Sequence, residues 1–115
     1  MDMSSEKVVL CASNAYNRKY YLNPAFEGLP TSIKEELQIM CVLYTEDVGG
    51  VLELAFDEEG NLQFETTYEE GDFFYDEIGS VLKIKQYQNV KQELLESLET
   101  YYRIIFLGEG LEEDK

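Results

Sequence analysis

The sequence predicts an α+β domain: an antiparallel sheet of about five strands, with helices packed on one face and two helices at the C-terminus. Two observations carry this prediction. Residues 51–68 alternate apolar and polar side chains on both sides of a glycine-containing turn, as in a β-hairpin. Residues 73–105 repeat apolar side chains every three or four positions, as in amphipathic helices. Hairpin-connected strands combined with helices belong to the α+β class.

The first third of the chain predicts two short strands and the start of a helix. Lys7–Cys11 is typical of a buried strand, and Arg18–Leu22 of a strand that returns after the turn-forming run 12–17. We expect a helix to begin near Ser32, which acts as the N-cap, because Glu35 follows three residues later at the spacing of a capping box.

Where this helix ends has two interpretations. The run Ile39–Tyr44 is apolar at every position, so it fits helical spacing and equally fits a strand that is covered on both faces. We favour a short helix over residues 32–38, followed by a central strand over residues 39–45. Residues 47–50 then form the turn into the next strand.

The central hairpin has a predicted register. Pairing Phe56 with Leu62 places the apolar side chains on one face and sets Glu53 opposite Glu65 on the other. The other facing pairs are Leu54 with Phe64 and Leu52 with Thr66. Gly60 in the connecting loop supplies the left-handed residue that such a turn requires.

The last third of the chain predicts two helices. Asp72 is expected to cap the first, which covers residues 73–86. One side of it carries Phe74, Ile78, Val81, Leu82 and Lys85. Asn89 is expected to cap the second, whose stripe is Val90, Leu94, Leu98, Tyr101 and Ile105. Gly108 ends this helix, and Glu109–Lys115 is predicted to be a frayed acidic tail.

Length and composition bound the possible functions. A chain of 115 residues, 44% of them hydrophobic, fits one domain over residues 1–115. The absence of histidine excludes Ser-His and Cys-His nucleophile pairs, and two cysteines cannot build a four-sulfur metal site. A net charge of −15 opposes direct binding to nucleic acid or to anionic membranes. We expect no cofactor.

The apolar segments also predict the compartment. Residues 1–7 are polar, and the longest apolar run has six residues. A signal peptide needs roughly 7–15 and a membrane span about 20, so we predict a cytoplasmic protein. Cys11 and Cys41 both lie in apolar segments and are interpreted as buried, reduced thiols; the alternative, a disulfide, would suit an oxidising compartment.

Acidic residues are concentrated in the middle of the chain. Residues 51–80 contain ten of them and no Lys or Arg. The predicted register makes an acidic face of Glu53, Asp57, Glu65 and Glu69, with no cation to pair them, and this face is our candidate binding surface. It could dock a basic protein partner, or it could simply keep the protein soluble. Calcium binding by the short loop 57–61 and mimicry of a nucleic acid are weaker interpretations.

These observations favour a non-enzymatic protein-interaction module that uses the acidic hairpin face. A homodimer formed through the last helix is a further interpretation, because its apolar stripe is wide enough for a core and a partner. The alternative class is a small enzyme that uses carboxylate, tyrosine or cysteine chemistry without histidine.

Four strings of the sequence support a family resemblance. They are Lys19–Asn23, Glu36–Tyr44, Thr45–Gly50 and Tyr75–Gly79. Together they resemble a small family of uncharacterised, short, acidic proteins from clostridia-like anaerobic Gram-positive bacteria. The resemblance covers nearly the whole chain and implies a bacterial host, but no activity and no functional residues.

Overall fold

The computed structural model describes residues 7–110, which form four strands, three α-helices and one short 3-10 helix (Pro24–Phe26). The strands and α-helices are β1 (Val8–Asn14), β2 (Lys19–Leu22), α1 (Thr31–Val48), β3 (Val51–Phe56), β4 (Leu62–Thr67), α2 (Glu77–Val90) and α3 (Gln92–Ile105). The strands make one antiparallel sheet in the order β2-β1-β3-β4. The α+β class is confirmed, with four strands in the described part of the chain instead of about five.

The missing strand is the second half of α1, so the prediction of a helix over residues 32–38 and a strand over residues 39–45 is wrong. Burial along α1 recurs every three or four residues, as on one face of a helix. The buried apolar residues are Leu37, Met40, Cys41, Tyr44 and Val48. Ile39 and Leu43 point away from the core and are exposed. The run Ile39–Tyr44 is apolar at every position because the buried side of α1 and its exposed side both carry apolar residues.

The helix starts also differ from the predictions. Helix α1 begins without a side-chain cap, so Ser32 is not its N-cap. Helix α2 is capped by Asp76, whose carboxylate accepts the Gly79 N–H at 2.8 Å, and not by Asp72. Helix α3 follows α2 after one residue and has no side-chain cap, so Asn89 is not a cap either. Two aspartates four residues apart offer the same capping chemistry, and only tertiary packing selects between them.

The predicted hairpin register is confirmed. Phe56 pairs with Leu62, and Glu53 pairs with Glu65. The predicted pairs Leu54–Phe64 and Leu52–Thr66 are also present. Gly60 has a φ of 88° in the loop, the left-handed conformation that the turn needs. The predicted tail beyond Gly108 lies partly on residues 111–115, outside the described residues.

Helices α1 and α3 pack on the inner face of the sheet. On the α3 side, Phe56 and Tyr102 stack with ring centroids 4.2 Å apart, and Phe26 and Phe106 extend this aromatic cluster. On the α1 side, the buried Ser13 and Thr45 hydroxyl oxygens lie 2.8 Å apart. The core is thus apolar and aromatic under α3, and carries a small hydrogen-bonded contact under α1.

The two cysteines lie in the α1 half of this core. Cys11 on β1 and Cys41 on α1 are free and fully buried, with their Sγ atoms 3.8 Å apart. The hydrogen bond with Cys11, together with burial, raises the pKa of the Cys41 thiol. The interpretation as two buried, reduced thiols is confirmed.

Gly50, between α1 and β3, gives a test of this packing. Its φ is 70°, and an added Cβ would lie 2.6 Å from the Thr67 carbonyl oxygen and 2.7 Å from the Tyr75 ring. We expect Gly50→Ala to cost about 2–5 kcal/mol of unfolding free energy, from left-handed strain plus overpacking. Gly108→Ala is the control, because φ is 73° and its Cβ would meet nothing within 4 Å. Urea unfolding should show a smaller loss for the control; equal losses would contradict the close packing at Gly50.

Candidate functional site

The outer face of the hairpin holds the predicted pair of facing carboxylates, but a cation lies between them. The Lys7 Nζ atom is 2.5 Å from Glu65 Oε1 and 3.7 Å from Glu53 Oε1. The expectation that these carboxylates have no cation to pair them is therefore wrong. Lys7 precedes the hairpin by more than forty residues, and the antiparallel pairing of β1 with β3 brings it alongside.

Lys7 changes the electrostatics of this face. Its hydrogen bond to Glu65 and the charge of Glu53 raise the pKa of the lysine, so it stays protonated beside them. Two carboxylates and one ammonium leave about one negative charge where two were expected. This cluster links the residue before β1 to β3 and β4, and it attracts a cationic partner less than a bare pair of carboxylates would.

Asp57, the second predicted site residue, acts within its own loop. Its Oδ1 atom accepts the backbone N–H groups of Asn61 and Glu59, both at 2.9 Å, and its Oδ2 atom accepts the Gln63 amide at 3.1 Å. The first of these hydrogen bonds is the main reason that the pKa of Asp57 is lowered. This carboxylate therefore staples the β3–β4 turn.

Glu69, the fourth predicted residue, belongs to a different surface. It opens the loop between β4 and α2, in which acidic side chains recur among aromatic ones. We call the acidic set the rim: Glu69, Glu70, Asp72, Asp76 and Glu77. No Lys or Arg occurs anywhere from Glu35 to Leu82. Glu69 therefore takes no part in the ion pairs of Lys7, and its neighbours in the chain are other acidic residues.

The rim is interleaved with large apolar side chains that point into solvent. We call these the apolar patch: Phe73, Phe74, Ile78, Val81 and Leu82. Phe73 and Phe74 are 93% and 95% exposed, and Ile78 is 76% exposed. Single exposed apolar residues are normal on soluble proteins, but a group of this size is typical of an interaction surface.

The sequence indicated which side of α2 is the more apolar, but not whether that side faces the core or the solvent. Helix α2 turns Ser80 and Tyr87 to the core, with Ile84 partly buried between them. The Ser80 hydroxyl is 2.5 Å from the Tyr44 hydroxyl and 3.0 Å from that of Tyr75, so a polar contact fixes the inward face. The helical spacing of residues 80, 84 and 87 is consistent with this orientation. It could not be recognised from the sequence, because the opposite side of α2 is more apolar.

The chemistry of the described residues is limited in two further respects. Within residues 7–110, no three or more acidic or cysteine side chains gather into a group that could hold a metal ion. None of the helices in that range has the length and apolarity to cross a membrane.

The fold and these surfaces define a small α+β domain that presents an apolar patch within an acidic rim. The chain belongs to a family of unknown function (DUF6145), whose model matches residues 7–110. No curated protein and no solved structure matches it. The resemblance to an uncharacterised family is confirmed, whereas the clostridial host remains a prediction.

The Lys7 cluster predicts a salt- and pH-dependent contribution to stability. We expect Lys7→Gln to lower the urea midpoint at neutral pH and low salt, because the two facing carboxylates lose their counterion. The difference from wild type should shrink in about 1 M NaCl. Because the pKa of Lys7 is raised in the folded state, the contribution is complete below the ordinary lysine pKa and disappears as pH rises through the folded-state value. Lys85→Gln, an exposed lysine elsewhere, is the control.

The hydrogen bonds that Asp57 accepts within the β3–β4 turn predict a pH dependence of stability opposite to that of Lys7. Asp57→Ala should destabilise the protein by roughly 0.5–2 kcal/mol at neutral pH, since two backbone N–H groups lose their acceptor. The pKa of Asp57 is lowered on folding, so this contribution is present above the unfolded carboxyl pKa of about 4 and is lost as pH falls through the folded-state value. Glu58→Ala, which removes a neighbouring exposed carboxylate, should have little effect. A loss that persists unchanged at low pH would show that the charge of Asp57 has no role in the turn.

Proposed function

We propose that this protein is a protein-interaction module whose apolar patch and rim bind a basic amphipathic segment of a partner protein. The near-complete exposure of Phe73 and Phe74 is the observation that carries this proposal. Burying one such side chain contributes about 1.5–3 kcal/mol. The fold buries Phe26 and Phe56 but leaves Phe73 and Phe74 exposed to water. A partner that covers these two side chains would gain the free energy of burying them.

The charge of the rim supports a basic partner. Five acidic side chains lie among the patch residues, and this stretch of chain carries no cation of its own. A segment with lysine or arginine beside its apolar anchors would complement both features, and the rim would speed its encounter. A second copy fits less well, because each chain carries a net charge of −15 and the two rims would repel.

The contacts of the loop support a preformed surface. Tyr68 and Tyr75 stack with centroids 4.2 Å apart, and the Tyr68 hydroxyl donates to Glu77. From the β1–β2 turn, the Tyr16 hydroxyl donates to Asp72 at 2.5 Å and accepts the Glu69 N–H at 2.9 Å. A loop held on both sides loses less conformational entropy when a partner binds, and so binds more tightly.

The hairpin carboxylates have a supporting part in this proposal. Glu53 and Glu65 keep one net negative charge after pairing with Lys7, and they add to the field that attracts a basic segment. We assign contact to Glu69 and the rest of the rim, which forms no ion pair with any lysine or arginine of residues 7–110.

The test is the binding of a synthetic, helix-forming peptide of leucine and lysine, measured by calorimetry. Replacing Phe73 and Phe74 together by serine should weaken binding at least about tenfold, because 1.4 kcal/mol corresponds to a factor of ten. Ile39→Ser with Leu43→Ser is the matched control, since it removes two exposed apolar side chains from α1. The wild-type affinity should also fall with added salt.

Two results would overturn the proposal. One is equal weakening by the α1 control, which would show non-specific apolar binding. The other is a concentration-dependent dimer, seen by sedimentation, that the Phe73 and Phe74 substitutions dissolve, because the patch would then be covered by a second copy.

A further inference from the structure

A cavity of about 670 Å³ lies between the β1–β2 hairpin and α1, on a part of the surface that the proposed function does not use. Its lining includes Ser13, Arg18, Lys19, Tyr20, Gln38 and Thr45. Two adjacent cations therefore stand over a floor of hydroxyl and amide groups. Such convergence of polar groups in a concave site is typical of small-molecule binding.

The two cations have no acidic ion-pair partner within residues 7–110, as is also true of Lys85 and Arg103, but Arg18 and Lys19 differ from those two in lining one cavity together. Over the same range, Lys7, Lys34, Lys83 and Lys91 all form ion pairs with carboxylates. With 24 acidic residues in the chain, an unpaired pair of cations in a cavity is left available for a charged ligand.

The backbone at Arg18 supports the same interpretation. Its φ is 56°, and it is the one non-glycine residue of the described range in the left-handed region. That conformation is unfavourable for a residue with a side chain, and such strain concentrates at functional sites. Glycine at position 18 would adopt this conformation without strain. The presence of arginine there therefore suggests a role for its guanidinium group.

The floor of the cavity supplies neutral hydrogen-bonding groups. The Thr45 hydroxyl donates to the Val42 carbonyl at 3.1 Å and accepts from Ser13. The Tyr20 hydroxyl is buried without a hydrogen-bond partner, beside Cys11 and Cys41. Burial raises the pKa of Tyr20, so the phenol stays protonated beneath the cavity.

We infer that this cavity binds a small organic anion, with its carboxylate or phosphate group held by Arg18 and Lys19. Arginine matches both groups with two parallel hydrogen bonds. Glu46 also lines the cavity, so the local charge is about one positive and the ligand has a place for a hydroxyl or amino group. At physiological salt, charges more than about 8 Å from the bound anion are largely screened, so the groups that line the cavity dominate its electrostatics.

The experiment is an amide NMR titration of the intact protein with inorganic phosphate and, separately, with succinate. We expect saturable shifts confined to residues 13–20 and 38–46. Arg18→Gly and Lys19→Gln should each weaken binding at least tenfold. Arg18→Gly should also leave the thermal midpoint unchanged or raised, because glycine relieves the strained backbone.

Lys85→Gln is the matched control, because it removes one exposed, unpaired cation that does not line the cavity. It should leave the binding constants unchanged. If phosphate and succinate both give no saturable shifts up to about 10 mM, or if the control weakens binding as much as Lys19→Gln, the inference is overturned. A marked fall in the thermal midpoint of Arg18→Gly would assign the arginine a structural role instead. Binding of phosphate alone or of succinate alone identifies the anionic group.

Discussion

Tyr75 is the residue on which the arrangement of the α2 half of the molecule depends. Its ring packs over Gly50 at the junction of α1 and β3, and its hydroxyl donates to Ser80 at the start of α2. Ser80 also hydrogen-bonds to Tyr44 in the core. The next N–H, that of Asp76, donates to the Val48 carbonyl at 3.2 Å. These contacts fix where α2 begins and how it is rotated, and the rotation turns the more apolar side outward.

The charge of each surface likewise depends on which side chains lie close to it. The net charge of the protein does not describe any one surface. Lys7 neutralises part of the negative charge of the hairpin, whereas the loop before α2 contains acidic residues and no lysine or arginine. The cationic pair Arg18 and Lys19 lines a cavity at the same β1–β2 turn whose Tyr16 hydrogen-bonds to the rim. Two surfaces of opposite character therefore share one end of the sheet, and each proposed ligand matches the charge nearest to it.

Sequence reasoning succeeded where structure is decided locally. The β3–β4 register follows from strict alternation and a short loop with one glycine, so each facing pair could be predicted. It failed where distant elements decide. Residues 39–44 are apolar at every position, so the pattern does not separate helix from strand, and packing of α1 against β1 and β3 decides for the helix. The position of Lys7 between Glu53 and Glu65 depends on the β1–β3 pairing, which no local pattern encodes. Of the predicted site residues, Glu69 alone joins the proposed contact surface.

The contact between Cys11 and Cys41 has a practical consequence. One thiol belongs to β1 and the other to α1, and both are sealed from solvent. An alkylating reagent can reach them only when this helix lifts from the sheet or the whole chain unfolds. The rate of alkylation therefore reports the free energy of that opening directly, without any engineered label. Compared with global stability, it would show whether α1 and β1 separate as a unit of their own.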